Sequence, residues 1–263
     1  MSTIAKGSIV LVTGANGYIA SHVINQLLHA GYKVRGTVRS PSKAEWMHKL
    51  LDPQHGPDAF ETVVVPDMVA GNAFDAAVKS VSGIVASGYY RDVQQPPLGT
   101  ARKDAEADGF VVYAASKTEA EGAILEGMGI LGGFCGLGGK GAGSMGSWVV
   151  SLIKGEREME GLDVPPFHFI DVVNDARLHV AALIDPSCAG KRIFAFARPF
   201  NWNDVLAIFL QMHPDRKFRD NIKVGRDLSE VPNQEAEELL RKHYGHGWAS
   251  LEESVKANMV TLA

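Results

Sequence analysis

The segment Ile9-Val10-Leu11-Val12-Thr13-Gly14-Ala15-Asn16-Gly17-Tyr18-Ile19-Ala20 sets the architecture of the N-terminal part of this chain. Four consecutive apolar residues after Gly7-Ser8 suit a strand buried on both faces. Beyond them Ile19, Val23, Ile24, Leu27 and Leu28 recur at helical spacing up to a stop signal at Gly31. The backbone therefore turns sharply from strand to helix. Gly14 permits the tight turn, Gly17 lets the backbone approach a pyrophosphate, and the small Ala20 lets the helix pack close to the strand. The phosphates then meet unpaired N–H groups at the helix N-terminus. This is the pattern of a dinucleotide site, with Gly14, Asn16, Gly17, Tyr18 and Ile19 as its candidate residues; an ordinary strand-to-helix connection is the alternative for the motif alone.

A second strand, Tyr32-Lys33-Val34-Arg35-Gly36-Thr37-Val38, ends where an NAD-binding fold places an acidic residue to grip the ribose 2′-hydroxyl. Here Arg39 stands there, with Lys43 close by. A guanidinium pairs bidentately with a 2′-phosphate, which favours NADP(H) over NAD. Solvated loop charges are the alternative for both residues. A third strand, Thr62–Val65, leads to Asp67-Met68, which either lie beside the adenine or belong to a plain loop.

With 263 residues, 46% of them hydrophobic, the chain is long enough for one large α/β domain and a smaller appendage. A net charge of −4 without a dense basic stripe gives no footprint for nucleic acid or an anionic membrane. No apolar run reaches transmembrane length, and the first one is already the nucleotide-binding strand, so the expected location is cytoplasmic, with a small molecule as partner. Cys135 and Cys188 are isolated, which argues against a disulfide framework or structural zinc. His243 and His246 lack acidic or thiol companions and read as surface residues rather than metal ligands.

Phe110-Val111-Val112-Tyr113-Ala114-Ala115-Ser116-Lys117-Thr118-Glu119-Ala120-Glu121 joins a short apolar run to an alanine-rich helical stretch. Tyr113 and Lys117 are four residues apart, hence on one helix face. A phenol with a pKa near 10 is a poor acid–base catalyst at neutral pH, but an ammonium one turn away favours its phenolate and eases proton exchange. Tyr113 is the candidate proton donor to a carbonyl oxygen, and Lys117 the residue that tunes it and holds the nicotinamide ribose. Tyr-x-x-x-Lys also arises by chance in helices; its position about a hundred residues after the glycine turn makes it more specific.

These two motifs resemble those of the extended short-chain dehydrogenases/reductases of the NAD-dependent epimerase/dehydratase superfamily. Within it the chain looks like the dihydroflavonol-reductase-related microbial aldehyde and ketone reductases. Phe169-Ile170-Asp171-Val172-Val173-Asn174-Asp175-Ala176-Arg177-Leu178-His179-Val180-Ala181-Ala182-Leu183 resembles the family segment that returns to the sheet and enters a helix beside the substrate pocket. The resemblance covers residues 8–87, 110–126 and 165–258. It implies a Rossmann-type doubly wound parallel sheet with a smaller C-terminal α/β substrate domain. The boundaries it suggests are residues 1–160 for the dinucleotide domain and 161–263 for the substrate-binding region. It also implies NADP-dependent carbonyl reduction.

Two departures stand against this. Family members carry a helix and a fifth strand before the tyrosine, ending in a serine that polarises the carbonyl. Here only 25 residues separate Ser87, at the end of the fourth strand Gly83–Ser87, from Tyr113. The usual serine is missing; Ala86 and Ser87 read as strand-end residues beside the cofactor. In residues 127–146 ten of twenty are glycine, a composition poor for a core strand and suited to an irregular linker or loop. Loss of an oxyanion donor commonly costs a hundredfold or more in rate, so a nucleotide-binding relative without turnover is a rival reading. Nucleotide-sugar epimerase or dehydratase chemistry is a third.

In the C-terminal part, Asn174 is the expected N-cap of a helix through Ile184, and Asn201 or Asn203 that of a helix carrying Val205, Leu206, Phe209 and Leu210. Trp148, Phe167, Phe169, Phe200 and Trp202 read as core, with a cleft lining as the alternative. Segments around Gln234–Lys242 and Ser250–Asn258 read as polar-faced helices.

Overall fold

The computed structural model describes residues 4–68, 70–86, 144–155 and 166–260. Strand β1 (Ile9–Val12) enters α1 (Tyr18–His29) through the glycine turn, and β2 (Lys33–Val38), α2 (Glu45–His55), β3 (Phe60–Val64) and β4 (Gly83–Val85) follow. All four strands are parallel, in the spatial order β3-β2-β1-β4, with Val12 opposite Gly36 on one side and Val85 on the other. A parallel sheet demands continuous apolar strands, and Val10, Leu11 and Val12 are almost completely inaccessible. The chain runs outward from β1 to β3 and then returns to the far side of β1. That reversal opens a crevice at the carboxyl ends of β1 and β4, where open α/β sheets bind ligands. This is the Rossmann-type parallel sheet expected from the sequence.

The helical periodicity of α1 becomes packing: Val23, Ile24 and Leu27 have no exposed surface and share a core with Met47 and Leu51 of α2 and Phe60 of β3. Each side chain of this kind contributes about 1.5–3 kcal/mol on burial. Helix α4 (Val172–Ile184) lies beside α1, with Ala176 and Val180 in the same core and Arg177 Nε donating to Gln26 Oε1 at 3.4 Å. Its far end reaches the foot of the sheet, because a Cβ added to Gly83, the first residue of β4, would lie 3.0 Å from Leu183. Helix α4 thus starts at the carboxyl edge of the sheet and runs parallel to α1.

Beyond that edge stands a second, smaller assembly. Strands β5 (Phe167–Phe169) and β6 (Arg198–Phe200) pair antiparallel, apart from the main sheet. Around them pack α3 (Ser144–Lys154), α5 (Trp202–Met212) and α7 (Leu251–Val260), through Leu152, Phe169, Phe200, Trp202, Phe209 and Val255. Helix α6 (Gln234–Tyr244) closes on α4, placing Leu239 and Leu240 against Ile170 and Leu178. Phe169, Phe200 and Trp202 are therefore core, and Phe167 packs edge-on to Phe200 with 4.7 Å between ring centroids. The Trp148 side chain lies outside the described residues.

Some local expectations are corrected. Asp171, not Asn174, caps α4: its carboxylate accepts from the Val173 and Asn174 amides, while Asn174 Oδ1 accepts from Ala249 N at 2.6 Å. Asn201 caps α5 in a reciprocal box with Asp204, worth about 1 kcal/mol. Strand β4 stops at Val85, two residues early, and β3 begins at Phe60. Of the glycine-rich segment 127–146, residues 144–146 are helical, opening α3, and the rest lies outside the described residues.

Candidate functional site

The glycine turn is built on β2 as much as on β1. Gly14 adopts φ +59°, a left-handed conformation that glycine alone takes cheaply. Its N–H donates to Thr37 Oγ1 at 3.0 Å, Ala15 N donates to the Thr37 carbonyl at 2.8 Å, and Gly17 N closes the turn on the Gly14 carbonyl at 2.8 Å. Gly36 is the seat. A Cβ there would come within 2.6 Å of the Ala15 Cβ and 3.0 Å of the Phe60 ring. A glycine inside a strand signals close backbone approach, and that signal was present in the sequence.

Helix α1 starts at Gly17 with no side-chain cap and no acidic residue in its first turn. Its amide dipoles therefore present an uncompensated positive end toward the turn. A Cβ on Gly17 would sit 3.0 Å from the Gly14 carbonyl, so the concave surface exists only because this residue has no side chain. Both features fit a dinucleotide pyrophosphate; the backbone of Asn16, Gly17, Tyr18 and Ile19 forms the end of the turn and the opening of α1.

The other sequence-derived candidates gather at the same edge. Arg39 follows the last residue of β2 and is exposed; Lys43 ends the short 3₁₀ turn Pro41–Lys43 and is exposed as well. Among the described residues no carboxylate pairs with either cation. Asp67 is exposed and Met68 half-buried just past β3, and Ala86 is half-buried just past β4. The Thr13 amide, bonded to the Val85 carbonyl at 3.1 Å, holds that end of β4 against the turn. Ser87, Tyr113 and Lys117 lie outside the described residues.

Near the start of α4 is a polar cluster that the sequence reading did not single out. Asp175 is fully buried, and burial, then the neighbouring Asp171 carboxylate, pushes its carboxyl well above the usual range. His179, one turn on, donates from Nδ1 to the Asp175 carbonyl at 3.0 Å, and burial pushes its ring down to about 4. Asp171 Oδ2 accepts from the buried Ser254 hydroxyl of α7 at 2.8 Å, pinning the C-terminal helix to the head of α4. His243 lies against Asp185 at 2.8 Å and His246 accepts from Arg177 at 2.7 Å. Among the described residues no group of three or more metal-ligating side chains forms, and no helix is long and apolar enough to cross a membrane.

A parallel sheet of order β3-β2-β1-β4 with a glycine turn opening an uncapped helix defines a dinucleotide-binding α/β protein. The chain belongs to the NAD dependent epimerase/dehydratase family, whose model matches residues 10–123. It is 31% identical to aldehyde reductase 2 of Sporidiobolus salmonicolor, across 97% of this chain and 96% of that one, and 30% identical to the ketoreductase adrE of Penicillium rubens, across 97% of both. The first alignment runs over 331 positions, more than the 263 residues present, so the relative carries segments that this chain lacks. Among solved structures, Gre2 of Candida albicans in complex with NADPH superposes with a TM-score of 0.73 at 20% identity, over 97% of this chain and 98% of that one. Vestitone reductase from alfalfa does so at 0.74 and 17%, over 97% of both. At these identities the likeness is one of fold.

Proposed function

We propose that this chain is an NADP(H)-dependent reductase that converts an aldehyde or ketone to an alcohol. The observation that carries the reading is the uncapped start of α1 over Gly14 and Gly17, flanked at the end of β2 by Arg39 and Lys43, which have no carboxylate partner among the described residues. The helix end suits the pyrophosphate, and the two cations suit a 2′-phosphate. The aldehyde reductase and ketoreductase relatives, aligned along nearly the whole chain, support the substrate class.

When bound, the reduced nicotinamide supplies a hydride. Tyr113 gives its phenolic proton to the carbonyl oxygen as the carbon is reduced, and Lys117 lowers the cost of the phenolate left behind. Asp67 and Met68 flank the adenine, Ala86 and Ser87 border the nicotinamide end of the crevice, and residues 161–263 supply most of the substrate-binding region. The test is NADPH consumption with a panel of aromatic aldehydes and ketones, expected for the unaltered protein and lost in Tyr113→Phe. Tight NADPH binding with no turnover of any carbonyl would reject the reductase reading and leave a binding protein.

A further inference from the structure

His168 lies in the middle of β5. Its neighbours Phe167 and Phe169 turn into the aromatic core, so the alternation of a strand sends the imidazole to the opposite face, edge-on to Phe196 with 5.9 Å between centroids. There its Nδ1 lies 3.1 Å from Asp227 Oδ2. Asp227 is itself held: its other oxygen accepts from the Ser229 amide at 2.9 Å and hydroxyl at 2.5 Å. These bonds, and then the His168 ring, keep its carboxyl below the ordinary carboxylate range.

The segment carrying Asp227 is tied to the start of α5 by Asn201 Nδ2 on the Gly225 carbonyl at 2.9 Å, by two bonds between Asn203 and Ile222, and by Arg226 forked onto Asp204. The carboxylate is thus a fixed acceptor. It selects the tautomer with the proton on Nδ1 and leaves a lone pair on Nε2. The side chain is only 7% exposed, Asp227 is the ionisable group set against it, and nothing among the described residues pairs with Nε2.

The fold brings the end of β5 to the carboxyl edge of the main sheet, the side on which open α/β sheets bind ligands. Strand β5 leads through Ile170 and Asp171 into α4, which begins at the carboxyl edge of the main sheet, beside the glycine turn. We propose that His168 is a specificity-determining residue whose Nε2 accepts a hydrogen bond from a hydroxyl on the carbonyl substrate. A carbonyl oxygen has no proton to offer a lone pair, so the group recognised must be a donor, and hydroxylated aldehydes or ketones form the preferred class. This rests on the carbonyl-substrate part of the reading above.

The test uses the full chain saturated with oxidised cofactor, in which a ketone binds but cannot be reduced, at about pH 8, above the ordinary imidazole range. Calorimetry compares α-hydroxyacetophenone with acetophenone. In His168→Leu the Kd of the hydroxylated ketone is expected to rise about tenfold, with that of acetophenone changing by less than about twofold. Asp227→Asn, which offers Nδ1 an amide donor and moves the ring proton to Nε2, is expected to abolish the preference with the ring still in place. Equal losses for both ketones, no loss for either, or no binding of either by the unaltered protein would overturn the assignment. Absence of NADPH consumption bears on the reductase reading alone and leaves this comparison readable.

Discussion

Gly14 and Thr37 are joined by a hydrogen bond of 3.0 Å from the turn amide to the β2 hydroxyl, and the next amide, Ala15, uses the carbonyl of the same threonine. With Gly17 N bonded to the Gly14 carbonyl, three of the amides in the turn are therefore spent on the scaffold. The ones left to face an anion belong to the opening of α1, so β2 determines which N–H groups a pyrophosphate meets.

Replacing Thr37 by Val removes that acceptor and keeps the shape. An amide stripped of its partner in a water-poor site costs about 1–3 kcal/mol. Urea unfolding is expected to show a loss of that size, with weaker NADPH quenching of fluorescence, while Thr37→Ser stays close to the unaltered protein. An unchanged midpoint in Thr37→Val would show that the bond contributes nothing.

Gly36→Ala is expected to be worse than its single methyl suggests, because the added atom would overlap the Ala15 Cβ and the Phe60 ring. Overpacking of this kind costs about 1–3 kcal/mol and pushes the turn outward, lowering nucleotide affinity as well. Gly71→Ala, where an added Cβ meets nothing within 4 Å, is the control and is expected to be near neutral in thermal melting.

Exchanging Arg39 for Asp reverses the charge beside the proposed 2′-phosphate. NADPH affinity is expected to fall by about tenfold to a hundredfold, with NADH affinity unchanged or improved. Titration of both nucleotides by fluorescence decides it; parallel losses would remove Arg39 from the cofactor site.

Acid sensitivity should trace to α4. The folded His179 titrates at about 4, below its unfolded value, so between these points the unfolded chain holds more protons. The stability contributed is complete above about pH 6.5 and is lost as pH falls toward 4, by about 2–4 kcal/mol. Asp175 has the opposite sign. Its raised folded pKa means stability declines as pH climbs from the ordinary carboxylate range through the folded value. Urea unfolding across this range is expected to show a flatter acid limb for His179→Gln and a gain at neutral pH for Asp175→Asn. Nδ1 of one lies 3.8 Å from Oδ1 of the other, so the two effects will not add.

The first half of the fold was legible because its signals are local. An apolar run, two glycines and a helical period sit within twenty residues, and Arg39 stands at a position whose chemistry is set by the turn before it. Helix capping was ambiguous for a physical reason: Asp171 and Asn174 are both competent and three residues apart, and the docked segment at Ala249, distant in sequence, takes Asn174 for itself. Gly36 carried a readable signal, a glycine inside a β-branched strand, that went unused. The pairing of His168 with Asp227 spans 59 residues, and no periodicity or motif links them. The aromatic residues of β5, β6 and α5 read as core and are core, since two short strands expose too much surface to stand without them.

The Ser254 hydroxyl on Asp171 makes the C-terminal helix a keystone for the head of α4. On the ribosome, β1 through β4 emerge first, and the nucleotide crevice acquires its strands early. The head of α4, beside that crevice, stays unlatched until residue 254 has cleared the exit tunnel. A nonsense codon at position 254 would thus spare every residue proposed to face the nucleotide and still leave the neighbouring helix unfastened.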